Sequence, residues 1–189
     1  MNNNTDITSR PTFFVGQIQS VTRLPQALNR CPIRAGGVLL YRTNASTNEP
    51  EILIIHNVFN NEWEDIGGRT DNQDETVWDT ICRETREETN NLVQLTPERL
   101  QSSGRFVYNN NAKYFLVVLQ ATEAEASLTP MDFGNLEFHD GILRFVYWVP
   151  LHVFFMPQFL TGCVNFRLKH HVLFSILKDI DKLQSLKQN

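Results

Sequence analysis

Gly67-Gly68-Arg69-Thr70-Asp71-Asn72-Gln73-Asp74-Glu75-Thr76-Val77-Trp78-Asp79-Thr80-Ile81-Cys82-Arg83-Glu84-Thr85-Arg86-Glu87-Glu88-Thr89-Asn90 decides the reading of this chain. A glycine pair leads into a polar loop, and the loop leads into a segment with helical spacing. Asp74 or Glu75 suits the helix N-terminus, where a carboxylate meets free amides and the positive end of the dipole. Asn90 suits the exit, because Asn reaches the left-handed region. At ~100° per residue, Val77, Ile81, Glu84 and Glu88 fall on one narrow stripe, with Glu87 beside it. An amphipathic helix keeps its core-facing stripe apolar. Here the stripe runs out into carboxylates. Glu84, Glu87 and Glu88 repel one another and crowd a helix C-terminus, where negative charge is disfavoured. Arg83 and Arg86 compensate in part. A bound divalent cation compensates better, and an all-oxygen donor set favours Mg²⁺ or Mn²⁺ over zinc. The alternative is a solvated helix end held by Glu/Arg pairs. The continuity with the apolar stripe and the upstream Gly-Gly turn, which lets backbone approach a ligand closely, favour the cation.

The flanking sequence supplies strands. Ala35 to Tyr41 and Glu51 to His56 are β-rich runs joined by a turn cluster from Thr43 to Pro50, and they read as a hairpin. Arg105 to Tyr108 and Lys113 to Leu119, joined at Asn109-Asn110-Asn111, read as a second hairpin. A polar stretch at 121–130 precedes a strand from Leu143 to Val149. Phe166 to Leu186 carries Leu168, Val172, Leu173, Ile176, Leu177, Ile180 and Leu183 at helical spacing. Residues 1–10 read as a tail, and 11–30 fit no single element. The expected organisation is a tail and leading segment over 1–30 and one α/β domain over 31–189.

The arithmetic of the whole chain agrees with one domain. It has 189 residues, 17 Lys+Arg against 21 Asp+Glu, a net charge of −4, and 41% hydrophobic residues. That balance argues against a broad basic face for long nucleic acid, but a small phosphorylated substrate needs only a local site. Cys31, Cys82 and Cys163 are odd in number and lack zinc spacing. A reducing compartment is expected. The N-terminus lacks the pattern of a signal peptide. The most apolar late stretch, Phe145 to Leu160, is broken by Pro150, His152 and Pro157, so no membrane span is expected and a soluble, cytoplasmic protein is.

The Gly-Gly-to-Asn90 segment resembles the signature box of the Nudix hydrolases, placed here at about 68–91. The box is a Gly, five residues, Glu, seven residues, Arg-Glu, an aliphatic, any residue, Glu-Glu, any residue, Gly and an aliphatic. Glu75, seven residues, then Arg83-Glu84-Thr85-Arg86-Glu87-Glu88 follow it, with Thr85 in place of the aliphatic. Three departures stand out. Six residues separate Gly68 from Glu75, Asn90 replaces the closing Gly with Asn91 after it, and Asp65-Ile66 replaces the frequent Leu-Pro. The strand at Ala35 to Tyr41, Trp63, and Tyr147-Trp148-Val149-Pro150-Leu151 also fall where the family has its elements.

The resemblance implies an α/β/α sandwich with a mixed β-sheet and hydrolysis of a diphosphate linkage in a nucleoside diphosphate derivative. Glu84, Glu87 and Glu88 match the cation ligands, with a carbonyl of Gly67 or Gly68. Arg83 matches the residue that orients the first carboxylate, and Glu75 the one that supports the loop–helix junction. Arg69, Trp63 and Asp65 are expected on the substrate side. Asp132, Glu137 and Asp140 are candidates for a later-loop carboxylate, weighed against solvated loop charges. Phe154-Phe155-Met156 with Phe159 offers either a core lid or an apolar patch for a homodimer. Nucleotides, dinucleotides, sugar nucleotides and mRNA caps fit the box equally. The alternative reading is a Nudix-fold nucleotide-binding or sensor module that has lost turnover.

Overall fold

The computed structural model describes residues 10–18 and 28–186. The tail expected over residues 1–10, apart from Arg10, and the stretch 19–27 lie outside the described residues. In chain order the elements are β1 (Phe13–Phe14), α1 (Val15–Ile18), β2 (Pro32–Ile33), β3 (Ala35–Thr43), β4 (Pro50–Asn57), β5 (Glu62–Glu64), β6 (Ile66–Arg69), α2 (Val77–Glu88), α3 (Pro97–Ser103), β7 (Arg105–Asn109), β8 (Tyr114–Gln120), α4 (Glu123–Ser127), α5 (Pro130–Phe133), β9 (Arg144–Pro150), α6 (Leu151–Phe154), α7 (Pro157–Gly162) and α8 (His171–Leu186).

Seven strands form one mixed sheet. β3 lies at its centre, antiparallel to β4 and β6 on one edge and parallel to β8 on the other. β9 pairs antiparallel along β4, with Ile54 opposite Tyr147. Period-two alternation sends successive side chains to opposite faces, and the two faces carry separate cores. Val38, Leu40, Leu53 and Ile66 meet Val77, Trp78 and Ile81 of α2. Leu39, Ile52 and Ile54 meet Leu173, Leu177 and Ile180 of α8. Burying each such side chain contributes on the order of 1.5–3 kcal/mol. The result is the expected α/β/α sandwich. Phe154, Phe155 and Phe159 belong to the α8 core, with Phe154 and Phe155 edge-on to Phe174.

Element ends shift from the sequence reading for local reasons. α2 is capped by Thr76, not by Asp74 or Glu75: Thr76 and Asp79 form a reciprocal capping box. The last helix begins at His171, because Phe166–Leu168 forms a separate 3₁₀ turn capped by the Asn165 side chain. Within the polar stretch, Thr122 and Glu125 cap the short helix α4. Thr96 and Pro97 start α3, an element absent from the sequence reading. Phe13–Phe14 pair with Pro32–Ile33, and Val15 is fully buried in the α2 core. Among the described residues no helix is long and apolar enough to cross a membrane, and all three cysteines are free thiols.

Candidate active site

The glycines act first. Gly36 and Gly37 of β3 stand opposite Gly68 and Gly67 of β6. A Cβ on Gly68 would strike the carboxylate of Glu84, and one on Gly67 would strike the Gly37 backbone and the Tyr114 hydroxyl. This bare patch of sheet lets α2 lie close enough for its last turn to reach β6. Glu88 Oε2 accepts from the Gly67 amide at 2.6 Å. The helix then stops cleanly. Thr85 and Thr89 hydroxyls bond back to the carbonyls of Ile81 and Thr85, and Asn90 and Asn91 turn left-handed with φ of 52° and 65°.

Arg83 organises the acids. All five of its N–H donors are engaged. Nε and Nη2 grip the two oxygens of Asp74, each at 3.1 Å. Nη2 also donates to the Arg69 carbonyl at 2.8 Å. Nη1 donates to Glu84 Oε1 at 2.9 Å and Glu87 Oε2 at 3.0 Å. Asp74 further accepts from the Asp71 amide and the Thr80 hydroxyl. Burial pushes its carboxyl up, but these bonds outweigh burial and hold it below the usual range. The loop–helix junction therefore rests on Asp74, whereas Glu75, expected there, is exposed. The physical reason is reach: Asp74 is the residue buried against Thr80 and Arg83.

Burial pushes Glu84 up to about 7, against the pull of Arg83. Burial and the charge of Glu84 drive Glu88 well above the carboxylate range. Two neighbouring carboxyls in a desolvated pocket thus hold protons more firmly than in water.

Across from the end of α2 stands the loop before β9. Asn90 carries it: its amide nitrogen donates to the carbonyls of Phe133 and Leu136, and its oxygen accepts from the Phe138 amide. The loop brings Glu137 to a cleft of about 50 Å³ that it shares with Glu64, Glu88, Asn57 and Arg144. Burial raises the Glu137 carboxyl as well. Glu137, His139 and Asp140 offer ligand atoms within 4.8 Å of one another, and His139 Nε2 lies 3.8 Å from Glu87 Oε1. Asp132, by contrast, is exposed and caps α5 through Thr129. Arg144 is only 2% exposed. Its Nη1 reaches the carbonyls of Phe133 and Gly134 at 3.4 and 3.3 Å, while Nε and Nη2 have no partner among the described residues. Beyond the cleft, sharing Asn57 and Ile142 with it, an apolar hollow of about 530 Å³ is lined by Val58, Phe59, Gly141 and Leu143. Phe59 is 97% exposed.

The residues expected on the substrate side divide. Asp65 is fully buried under β6, accepting from Tyr114 Oη at 2.5 Å and from Arg167 Nε at 2.9 Å. Arg167 also bonds Glu64 Oε2 at 2.9 Å and the Gly67 carbonyl at 3.3 Å. Trp63 packs on the α8 side of β5, stacked on His56 with ring centroids 4.7 Å apart and tilted against Tyr147 and Phe159. Arg69 is exposed and lines a different cavity. Sequence reasoning missed Asp74 as Arg83's partner, and also Glu64, Arg144 and Arg167. Glu64 had one available signal, its period-two position in the short strand before the glycines. Arg144 and Arg167 had none.

The carboxylates of Glu84, Glu87 and Glu88 each spend one oxygen on a protein donor, which leaves a hard, all-oxygen set whose Glu88 shares the cleft with Glu137. Such a set fits a divalent cation of the Mg²⁺ or Mn²⁺ type.

No curated protein matches the chain at the significance that solved structures reach. A C. elegans Ap4A hydrolase in binary complex shares 19% identity over 81% of this chain and 98% of its own, with a TM-score of 0.44. A NUDIX hydrolase of Listeria monocytogenes shares 11% over 82% and 95%, at 0.46. The NUDIX domain of Shewanella oneidensis NrtR, complexed with ADP ribose, shares 17% over 79% and 94%, at 0.38. The family itself is given by residues 33–162, 130 of the 189, which match the model of the NUDIX domain. Their span runs from β2, just before the glycine patch, to the end of α7, and the chain therefore belongs to the NUDIX family.

Proposed function

We propose that this chain is a divalent-cation-dependent pyrophosphohydrolase that cleaves the diphosphate linkage of a nucleoside diphosphate derivative. One observation supports the reading above others. The last turn of α2 gathers Glu84 and Glu87 on Arg83 and sends Glu88 into a narrow cleft with Glu137 and Arg144, next to an apolar hollow with which the cleft shares Asn57 and Ile142. Carboxylates alone repel a phosphate chain. Glu84, Glu87 and Glu88, with the Gly68 carbonyl, would hold Mg²⁺ or Mn²⁺. Bound there, the ion supplies neutralisation of phosphate charge and a more acidic water.

This chain's own residues do the rest. The open Nε/Nη2 edge of Arg144 suits a phosphoryl oxygen, because a guanidinium presents two parallel donors. Glu137 has no donor to its carboxylate among the described residues and takes the proton of the attacking water. The water oxygen bonds to phosphorus, the anhydride P–O bond breaks, and the second phosphate leaves. The exposed face of Phe59, with Ile142 and Leu143, receives the nucleoside.

A panel of nucleoside triphosphates, dinucleoside polyphosphates, sugar nucleotides and capped RNA, incubated with Mg²⁺ or Mn²⁺ and resolved by product analysis, tests this. Cleavage that stops in EDTA is the expected result. Binding of the same compounds without cleavage under any of these conditions would reassign the chain as a nucleotide-binding module.

A further inference from the structure

A second cavity, of about 620 Å³, opens where β3 and β8 begin and β6 ends. It is lined by Arg10, Arg34, Arg69 and Lys113, with small and uncharged residues between them and no carboxylate. The four cations come from four separate segments, and hydrogen bonds to backbone carbonyls stitch those segments together. The Thr70 hydroxyl donates to the Pro11 carbonyl at 2.6 Å. The Thr70 amide donates to the Arg34 carbonyl at 3.1 Å, and the Arg34 amide to the Lys113 carbonyl at 2.9 Å. Among the described residues none of the four cations takes part in a salt bridge, although acids outnumber bases in the chain. Like charges gathered around one hollow repel one another and focus a positive potential into it. The volume is that of a small-molecule site.

We propose that this cavity is an anion site for condensed phosphate, a di- or triphosphate chain held by Arg10, Arg34, Arg69 and Lys113 without a metal ion. The charge fits a multivalent anion. Guanidinium groups offer paired donors to phosphate oxygens, and the lysine adds a point charge. The site shares no lining residue with the carboxylate cleft, so it stands independently of the proposed hydrolysis. The Arg69 backbone links it to the carboxylate turn, because Arg83 donates to the Arg69 carbonyl.

The test is calorimetric titration of the full chain in EDTA, where the carboxylate cleft has no cation with which to attract phosphate. Inorganic tripolyphosphate should bind saturably and weaken at least tenfold between 50 and 300 mM salt, an electrostatic signature. Arg34→Glu and Lys113→Gln should each weaken it about tenfold with unchanged melting temperature, while Lys178→Gln on α8 leaves it unaltered. Adenosine triphosphate in a parallel arm identifies the source. Binding equal to tripolyphosphate assigns free condensed phosphate, and tighter binding assigns the phosphate tail of a nucleotide. The proposal fails if tripolyphosphate shows no saturable binding in EDTA, or if both substitutions leave its affinity intact. It also fails if only a long RNA binds and tripolyphosphate does not compete.

Discussion

The two ends of β6 and its following loop are electrostatic opposites built in opposite ways. At Gly67 and Gly68 the strand meets carboxylates that descend from a single helix turn, and protein donors hold them. At Arg69 and Thr70 it meets cations gathered from distant segments, joined by bonds to their backbone carbonyls from amides and from the Thr70 hydroxyl. The first region is a desolvated network that resists change. The second is a ring of three exposed arginines and a half-buried lysine, whose cost is mutual repulsion. A net charge of −4 hides these two opposite concentrations of charge.

The sharpest way to break this contrast is to neutralise the acidic end. Glu84→Gln or Glu88→Gln is expected to lower kcat by ~10²–10⁴-fold, with the metal-free melting temperature unchanged or higher because a repelling, desolvated charge is gone. Steady-state kinetics and a thermal melt read both quantities. Undiminished turnover in both variants would remove the carboxylate turn from the mechanism.

Next in size is the junction. Asp74→Asn takes a charge from a buried pair and should cost about 3–5 kcal/mol, seen as a lower denaturant midpoint. Glu75→Gln, at an exposed position, should stay within ~0.5 kcal/mol. The reverse order of effects would return the junction role to Glu75.

The smallest effect concerns pH. Glu84 and Glu88 bind protons more tightly folded than unfolded. As pH rises from about 4.5 to about 7, the unfolded chain has released protons that folded Glu84 and Glu88 still hold, so stability falls across that window. In EDTA the melting temperature should drop by a few degrees between pH 5 and 7.5. Saturating Mn²⁺ should raise it and flatten the slope. A slope indifferent to the ion would separate these carboxyls from cation binding.

How much of this was legible follows from where the residues sit in the chain. The carboxylate turn was readable because helical geometry converts spacing of three and four directly into one face. The glycine patch was readable as permission for close approach, although only the β3–β6 register shows that Gly36 and Gly37 supply its other half. Asp74 was hidden because a one-residue change in loop length alters which acid points inward, and loop conformation has no period. Glu137 was one of three later-loop carboxylates the sequence offered, and only the pinning of that loop by Asn90, a tertiary bond no pattern announces, separates it from Asp132; Arg144, at the start of β9, gave no signal. The basic ring was invisible for the same reason, as Arg10, Arg34, Arg69 and Lys113 become neighbours only after three strands have aligned. Asp65 and Trp63 were misplaced because polarity and aromaticity on a strand do not say which face is wet.

The parallel pairing of Ala35–Tyr41 with Tyr114–Gln120 also sets an order in time. Synthesis proceeds from the N-terminus, so β3 waits with a bare hydrogen-bonding edge until more than seventy further residues have been made. A hydrophobic strand with an open edge is a template for pairing with other chains, and distant pairings close slowly. Both halves of the molecule's polar chemistry hang on that strand. A nascent chain truncated before Tyr114 carries every carboxylate of the α2 turn and all four cations, yet lacks the partner strand that gives them a common floor.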